Sequence, residues 1–239
     1  MVEKIIMEDT FMTFNDHPAG FLKVPSNLVD LPMFRASNHM FIAPRTIDMR
    51  DYCTKTEDQG TRPMCAAYSA TSMVENILWR KNDYPENINP REVYAYAKTV
   101  DGSPNVDGTT LNAALQFFIT KKYFSDKSQI QMIYGADSID KIKYAIHKFG
   151  CVHLGFNITS EWYDINKNNT SIKNKANFRS FGGHAVLGCG YNDDGLFIQN
   201  SWGENWGSYG FALITWDAVK DQFVYGAVIS HCLDNFKLN

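Results

Sequence analysis

The sequence predicts an α+β chain with two sub-domains, helical in its first half and rich in strands in its second. Three observations carry that expectation. Apolar residues recur at helical spacing in four segments between Cys65 and Phe149. From Gly150 onward the apolar runs shorten, become β-branched and aromatic, and alternate with turn formers. Helices first and strands later is an α+β order rather than an alternating α/β one. Residues 1–44 follow neither pattern and read as an irregular leader segment, with the main domain over 45–239. Within that domain the helical part is expected over about 55–130 and the β-rich part over about 131–235.

The first helix is predicted from Cys65 to about Lys81, because Ala66, Ala67, Ala70, Met73, Val74, Ile77 and Leu78 share its apolar side. Gly60 and Pro63 mark the turn before it. A second helix follows from Asn89-Pro90 to Lys98, with proline at a position that tolerates a missing N–H. A third spans Thr110 to Lys122, and a fourth Ser138 to Phe149, with Ile139, Ile142, Ala145 and Ile146 on one face. Strands are predicted at Cys151–Phe156, Ala185–Tyr191, Leu196–Ile198, Phe211–Ile214 and Tyr225–Ile229. Asn192-Asp193-Asp194-Gly195 is hairpin turn chemistry. The polar stretch from Asn166 to Asn177 reads as a loop.

Composition narrows the function classes. The 239 residues carry a net charge of −3, with 21% charged residues. No basic face of the kind that tracks phosphates is visible, so no nucleic-acid partner is expected. The start lacks the unbroken apolar stretch of a secretory signal, and no segment approaches the roughly 20 apolar residues of a membrane span. No membrane partner is expected either. Five cysteines, an odd number at wide spacing, offer no ligand pair for a metal, so neither metal nor cofactor is expected. Cys151/His153 and His231/Cys232 are close in sequence, but one such pair makes a poor zinc site. Cys53, Cys151, Cys189 and Cys232 are read as small buried hydrophobes, and a reducing compartment, cytoplasmic or virion-type, is favoured.

The chemistry gathers at four residues. Cys65 opens a helix, where unpaired N–H groups and the helix dipole stabilise a thiolate. His184 and Asn200 flank the Asn192–Gly195 turn at nearly equal distances, which places them roughly opposite each other in an antiparallel pair. The Asn200 carbonyl can then accept from the imidazole and leave its other nitrogen for Cys65. Gln59 lies six residues before Cys65, where its amide and the Cys65 N–H can share an oxyanion.

These residues resemble the papain-like cysteine peptidases. Gln59-Gly60-Thr61-Arg62-Pro63-Met64-Cys65-Ala66-Ala67-Tyr68-Ser69 is similar to the family's nucleophile block, Gly183-His184-Ala185-Val186 to its histidine block, and Asn200-Ser201-Trp202-Gly203 through Gly210-Phe211 to its asparagine block. Ile47-Asp48-Met49-Arg50 resembles the start of mature members. The resemblance implies a helical left sub-domain and an antiparallel, barrel-like right sub-domain with the active site between them. It implies a cofactor-free peptidase acting through a Cys65 thiolate and a His184 imidazolium, with an acyl-enzyme intermediate. Asn200 would hold His184, Gln59 would stabilise the oxyanion, and Trp202 would shield the His184–Asn200 bond. Gly108, Gly183 and Trp202 are the implied substrate contacts. Arg62 and Ala66 replace a cysteine and a tryptophan usual in the family, which points to its disulfide-poor microbial and viral branch.

The leader is shorter than the family's helical pro-domains, and its apolar Phe21, Leu22, Val24, Leu28, Leu31, Met33 and Phe34 suggest that it packs on the body. Two readings stand: an inhibitory segment across the cleft of a zymogen, or a structural arm. The partner expected is a polypeptide substrate. Endopeptidase action is the simplest reading, beside exopeptidase or transpeptidase action on the same scaffold, or an idle site in a binding protein.

Overall fold

A computed structural model describes residues 13–14, 17–18, 20–22, 32–35, 42–174 and 180–230. Val24, Leu28 and Leu31 of the leader, the end of the 166–177 loop and the His231-Cys232 pair lie outside the described residues.

Two short strands, β1 (Thr13–Phe14) and β2 (His17–Pro18), pair in the leader, and β3 (Ile47–Asp48) opens the main domain. Helix α1 (Cys65–Asn82) buries 13 of its 18 residues, so it is a central helix covered on most sides. It stops where Asp83 turns left-handed, with φ of 61°. Helix α2 (Pro90–Val100) starts with proline in the first turn, and the Asn89 side chain accepts from Arg91 N–H. Helix α3 (Leu111–Thr120) is capped by Thr110, whose hydroxyl accepts from Ala113 N–H. Strand β4 (Gln129–Ile133), absent from the sequence expectation, precedes α4 (Ser138–Phe149). Helix α4 ends at Gly150, where a φ of 83° suits glycine.

The sheet then follows: β5 (Val152–Asn157), β6 (Ser171–Ile172), β7 (Gly183–Tyr191), β8 (Gly195–Gln199), β9 (Phe211–Thr215), helix α5 (Trp216–Gln222) and β10 (Phe223–Ser230). Strand order is β4-β10-β5-β7-β8-β9-β6, with β3 beside β7. Neighbours are antiparallel except β6–β9, and the order runs from β4 to β6 without closing.

Strand β7 shows how the sheet divides the core. Ala185 and Leu187 face the α1–α3 side, among Ala66, Ala70, Met73 and Leu115. Val186 faces the other side, with Ile142 and Ile146 of α4 and Val219 of α5. Each fully buried Leu, Ile or Phe here stabilises the fold by roughly 1.5–3 kcal/mol. The helical layer α1–α3 and the sheet therefore share one interior through β5, β7 and β10, and the α1 N-terminus is fixed against the strand that begins at Gly183.

Candidate active site

Cys65 is the first residue of α1, and Met64 before it supplies no side-chain cap. The N–H groups left open at that end act on the sulfur instead: the backbones of Ala185, Gly20, Ala66 and Cys65 each favour a charge on the Cys65 thiol. The thiol is wholly buried.

His184 reaches Asn200 as expected, with Nε2 2.7 Å from Oδ1. The Ser201 N–H also donates to that oxygen at 2.8 Å, which fixes it as the acceptor. Nε2 therefore carries the ring proton, and Nδ1 is an acceptor with no hydrogen-bond partner among the described residues. The route to this contact differs from direct opposition. Leu187 faces Gln199, a register that would set Asn200 against Val186, and β8 ends one residue before Asn200. An extra residue, Cys189, lies between the Gly188↔Ile198 and Gly190↔Phe197 pairs. The bulge displaces the register, and the His184–Asn200 bond is a diagonal contact.

Gln59 is buried beside this pair. Its Oε1 accepts from Ser201 Oγ at 2.6 Å, and its Nε2 donates to Arg62 O at 2.8 Å. The hydroxyl fixes which end of the amide is the donor end. Ser201 escaped the sequence reading, because a serine after Asn200 carries no signal of where its hydroxyl points. Trp202 covers His184, with ring centroids 4.7 Å apart. Tyr163 and His17 stack on Trp202 at 5.0 and 5.3 Å. Neither was among the residues singled out.

Gly108 and Gly183 face each other across a strip of the leader. Phe21 N–H donates to Gly183 O at 2.9 Å, Thr109 N–H to Gly20 O at 3.1 Å, and Leu22 N–H to Thr109 O at 3.0 Å. A Cβ on Gly108 would lie 2.1 Å from Gly20 O, and one on Gly183 would lie 2.5 Å from Phe21 O. Both glycines are needed for the strip to approach so closely. Phe21 itself is buried, its ring 5.1 Å from that of Tyr225.

This cover sets the electrostatics. Burial pushes the Cys65 thiol up to about 11, against the lowering effect of the backbone N–H groups. Burial also holds His184 down to about 4, while the Asn200 hydrogen bond works the other way. Burial in the covered cleft thus favours the neutral form of both groups and opposes the thiolate–imidazolium pair. Dry surroundings disfavour two separated charges more than a helix end favours one. Among the described residues no group of three or more His, Cys, Asp or Glu could hold a metal ion. No helix among them is long and apolar enough to cross a membrane.

The same architecture recurs in solved structures. Xylellain, a cysteine protease from Xylella fastidiosa, superposes with a TM-score of 0.70 over 90% of this chain and 96% of its own, at 19% identity. Procathepsin B S9 from Trypanosoma congolense matches with a TM-score of 0.66 over 88% of this chain and 85% of its own, at 15% identity. The fold is papain-like. Its α+β organisation agrees with the expectation from sequence. Residues 116–226 also match the family model described as papain family cysteine protease, a span that holds His184 and Asn200 but stops short of Cys65. An uncharacterized peptidase C1-like protein of Acanthamoeba polyphaga mimivirus is 31% identical over 90 residues, which cover 36% of this chain and 29% of the viral protein. The resemblance to papain-like cysteine peptidases thus stands on sequence and on structure, and a viral protein is among the similar sequences.

Proposed function

We propose that the protein is a cysteine endopeptidase whose papain-like site is held closed by its own leader. Cys65 is the nucleophile, His184 the base and then the acid, Asn200 the residue that orients it, and Gln59 with the Cys65 N–H the oxyanion donors. Trp202 shields the His184–Asn200 bond from water. Gly108 and Gly183 flank the path along which a substrate backbone runs.

One observation carries this reading. An extended piece of polypeptide, Gly20 to Leu22, lies over Cys65 and bonds through its backbone to Gly183 and Thr109. A groove that holds its own chain in this way is shaped for peptide, and while occupied it excludes any other. Procathepsin L 3 of Tenebrio molitor larval midgut, whose fold is similar (TM-score 0.62), is by its name a proform, which agrees with a restrained precursor. On that basis the protein is a zymogen-like peptidase, with polypeptide as its substrate.

Reaction requires the strip to leave. Cys65 then attacks the carbonyl carbon of a peptide bond as its proton passes to His184 Nδ1. The oxyanion sits against Gln59 Nε2 and the Cys65 N–H. Collapse of the intermediate expels the amine, which takes the proton from His184. Water, deprotonated by the same histidine, hydrolyses the thioester. An intact-mass experiment with a peptidyl epoxide tests the scheme on the full chain, on a chain lacking residues 1–42, and on a Cys65→Ala control. The expected result is one adduct, absent from the control and formed faster on the truncated chain. A folded truncated chain that takes no adduct would refute the proposed nucleophile, and equal labelling rates would refute the restraint.

A further inference from the structure

Two thiols away from the cleft belong to one packed cluster and interact with each other. Cys53 follows a 3-10 turn at Arg50–Tyr52, six residues before Gln59, and is half-buried. Cys189 is the bulged residue of β7, five residues beyond His184, and is wholly buried. Backbone pairing holds the two segments together, since Met49 N–H donates to Cys189 O at 2.8 Å and Asp48 pairs with Gly190. The Cys53 thiol is 3.6 Å from Met49 O, and Asn76 Nδ2 from α1 is also 3.6 Å from the Cys53 sulfur. The Cys189 thiol donates to Phe197 O at 3.6 Å, and the Cys53 and Cys189 side chains interact across the shared neighbour Met49, whose O accepts from Cys53 and whose N–H donates to Cys189 O. Both are free thiols. The Arg50 guanidinium, held over the Phe197 ring at 4.4 Å, acts electrostatically on Cys189.

We propose that Cys53 and Cys189 are a dithiol that closes to a disulfide when the protein meets a disulfide oxidant. Position decides the order of events. The half-buried Cys53 is the thiol that a small disulfide such as glutathione disulfide can reach. Its thiolate attacks one oxidant sulfur, a mixed disulfide forms, and one glutathione thiolate leaves. Cys189, fixed beside it by the β3–β7 pairing, then attacks the Cys53 sulfur as a thiolate and releases the second glutathione. Two protein thiols are oxidised by two electrons, one glutathione disulfide is reduced to two thiols, and two protons pass to those products. Burial first, then Cys53 and the Asp48 carboxylate, oppose the Cys189 thiolate, and Arg50, itself paired with Asp48, offsets them only in part, which makes this second step the slower one.

The consequence is mechanical. The bond would fasten the segment that leads to Gln59 onto the strand that carries His184, so the two sides of the candidate site could not separate at that point. It would also close a long loop of chain, the geometry in which cross-linking constrains the unfolded state most. The inference does not depend on the proposed peptidase activity, because neither thiol touches the cleft.

The test is native incubation of the full-length protein with glutathione disulfide, followed by non-reducing tryptic mapping and thermal unfolding. The expected outcome is a linked peptide joining Cys53 to Cys189 and a midpoint raised by roughly 5–10 °C, lost on adding dithiothreitol. In a Cys53→Ser variant neither the linked peptide nor the rise should occur. A lasting glutathione adduct on Cys53 without the linked peptide, linkage of Cys53 to another cysteine, or no reaction would each overturn the proposal.

Discussion

His153 lies wholly inside the protein on β5, its Nδ1 2.8 Å from the hydroxyl of Ser69, which follows Cys65 by about one turn of α1. Among the described residues Nε2 has no hydrogen-bond partner, and burial pushes the ring's pKa down to about 3. His184, at about 4, is the second neutral buried histidine. Both groups have folded-state values below the ordinary 6.5, so the unfolded chain binds more protons in the acid range. Their contribution to stability is therefore complete above about pH 6.5 and is lost as pH falls towards those lower values. Glu75 works in the opposite sense: burial raises it to about 7, so its share is present below its ordinary 4.5 and is lost as pH rises through about 7. Glu57 is raised in the same sense as Glu75, but the two fully buried histidines carry the larger displacements, and acidification from about pH 6.5 to about pH 5 should destabilise the fold. Each histidine supplies up to ~1.4 kcal/mol per pH unit of that slope. Replacing the pair by Ser69→Ala with His153→Leu avoids an orphaned hydroxyl and removes one of the two. Urea unfolding at the two pH values should then show a shallower acid dependence, and an unchanged slope would mean that His153 is not held neutral.

At the scale of elements, α1 to α4 were legible because apolar spacing, Pro90 and the Gly150 stop are local signals. Helix α5 was not legible. It has only seven residues between β9 and β10, and its one local mark is Thr215 capping Ala218 N–H. Strand β4 was missed because five residues give too little alternation to stand out against the polar stretch before it. The candidate site divides in the same way. Cys65, His184 and Asn200 were readable from a helix start and a hairpin turn, whereas the packing of Gly20 on Pro63 is a long-range contact with no mark in nearby sequence. That contact yields a test. A Cβ on Gly20 would lie 2.4 Å from Pro63 O, and both atoms are on backbone that cannot swing aside. Gly20→Ala should therefore lift the strip from the cleft and speed epoxide labelling of Cys65. The fold should survive at lower stability, because of residues 20–22 only Phe21 belongs to a core cluster, and thermal unfolding of the variant checks this. Labelling no faster than in the unaltered chain would show that the strip does not govern access.

For the molecule as a whole, the decisive quantity is how dry the cleft is. The helical layer and the sheet hold Cys65 and His184 at fixed places, and in the function proposed above the leader controls whether water reaches them. While it is in place, the thiol at about 11 and the imidazole at about 4 favour the uncharged pair. Once it is gone, the cause of both displacements weakens, while the helix end and the Asn200 hydrogen bond remain, and these favour thiolate and imidazolium. Opening the cleft should thus change the chemical state of the nucleophile as well as its accessibility. The two effects separate in a pH profile of Cys65 alkylation by a small haloacetamide, a reagent less hindered than a peptide. In the full-length protein the rate should keep climbing through about pH 9 to 10, following a thiol that ionises late. In the chain lacking residues 1–42 the rise should be complete well below that, with a plateau around neutral pH. Profiles of one shape that differ only in height would mean that the leader hinders entry without altering the ionisation of Cys65.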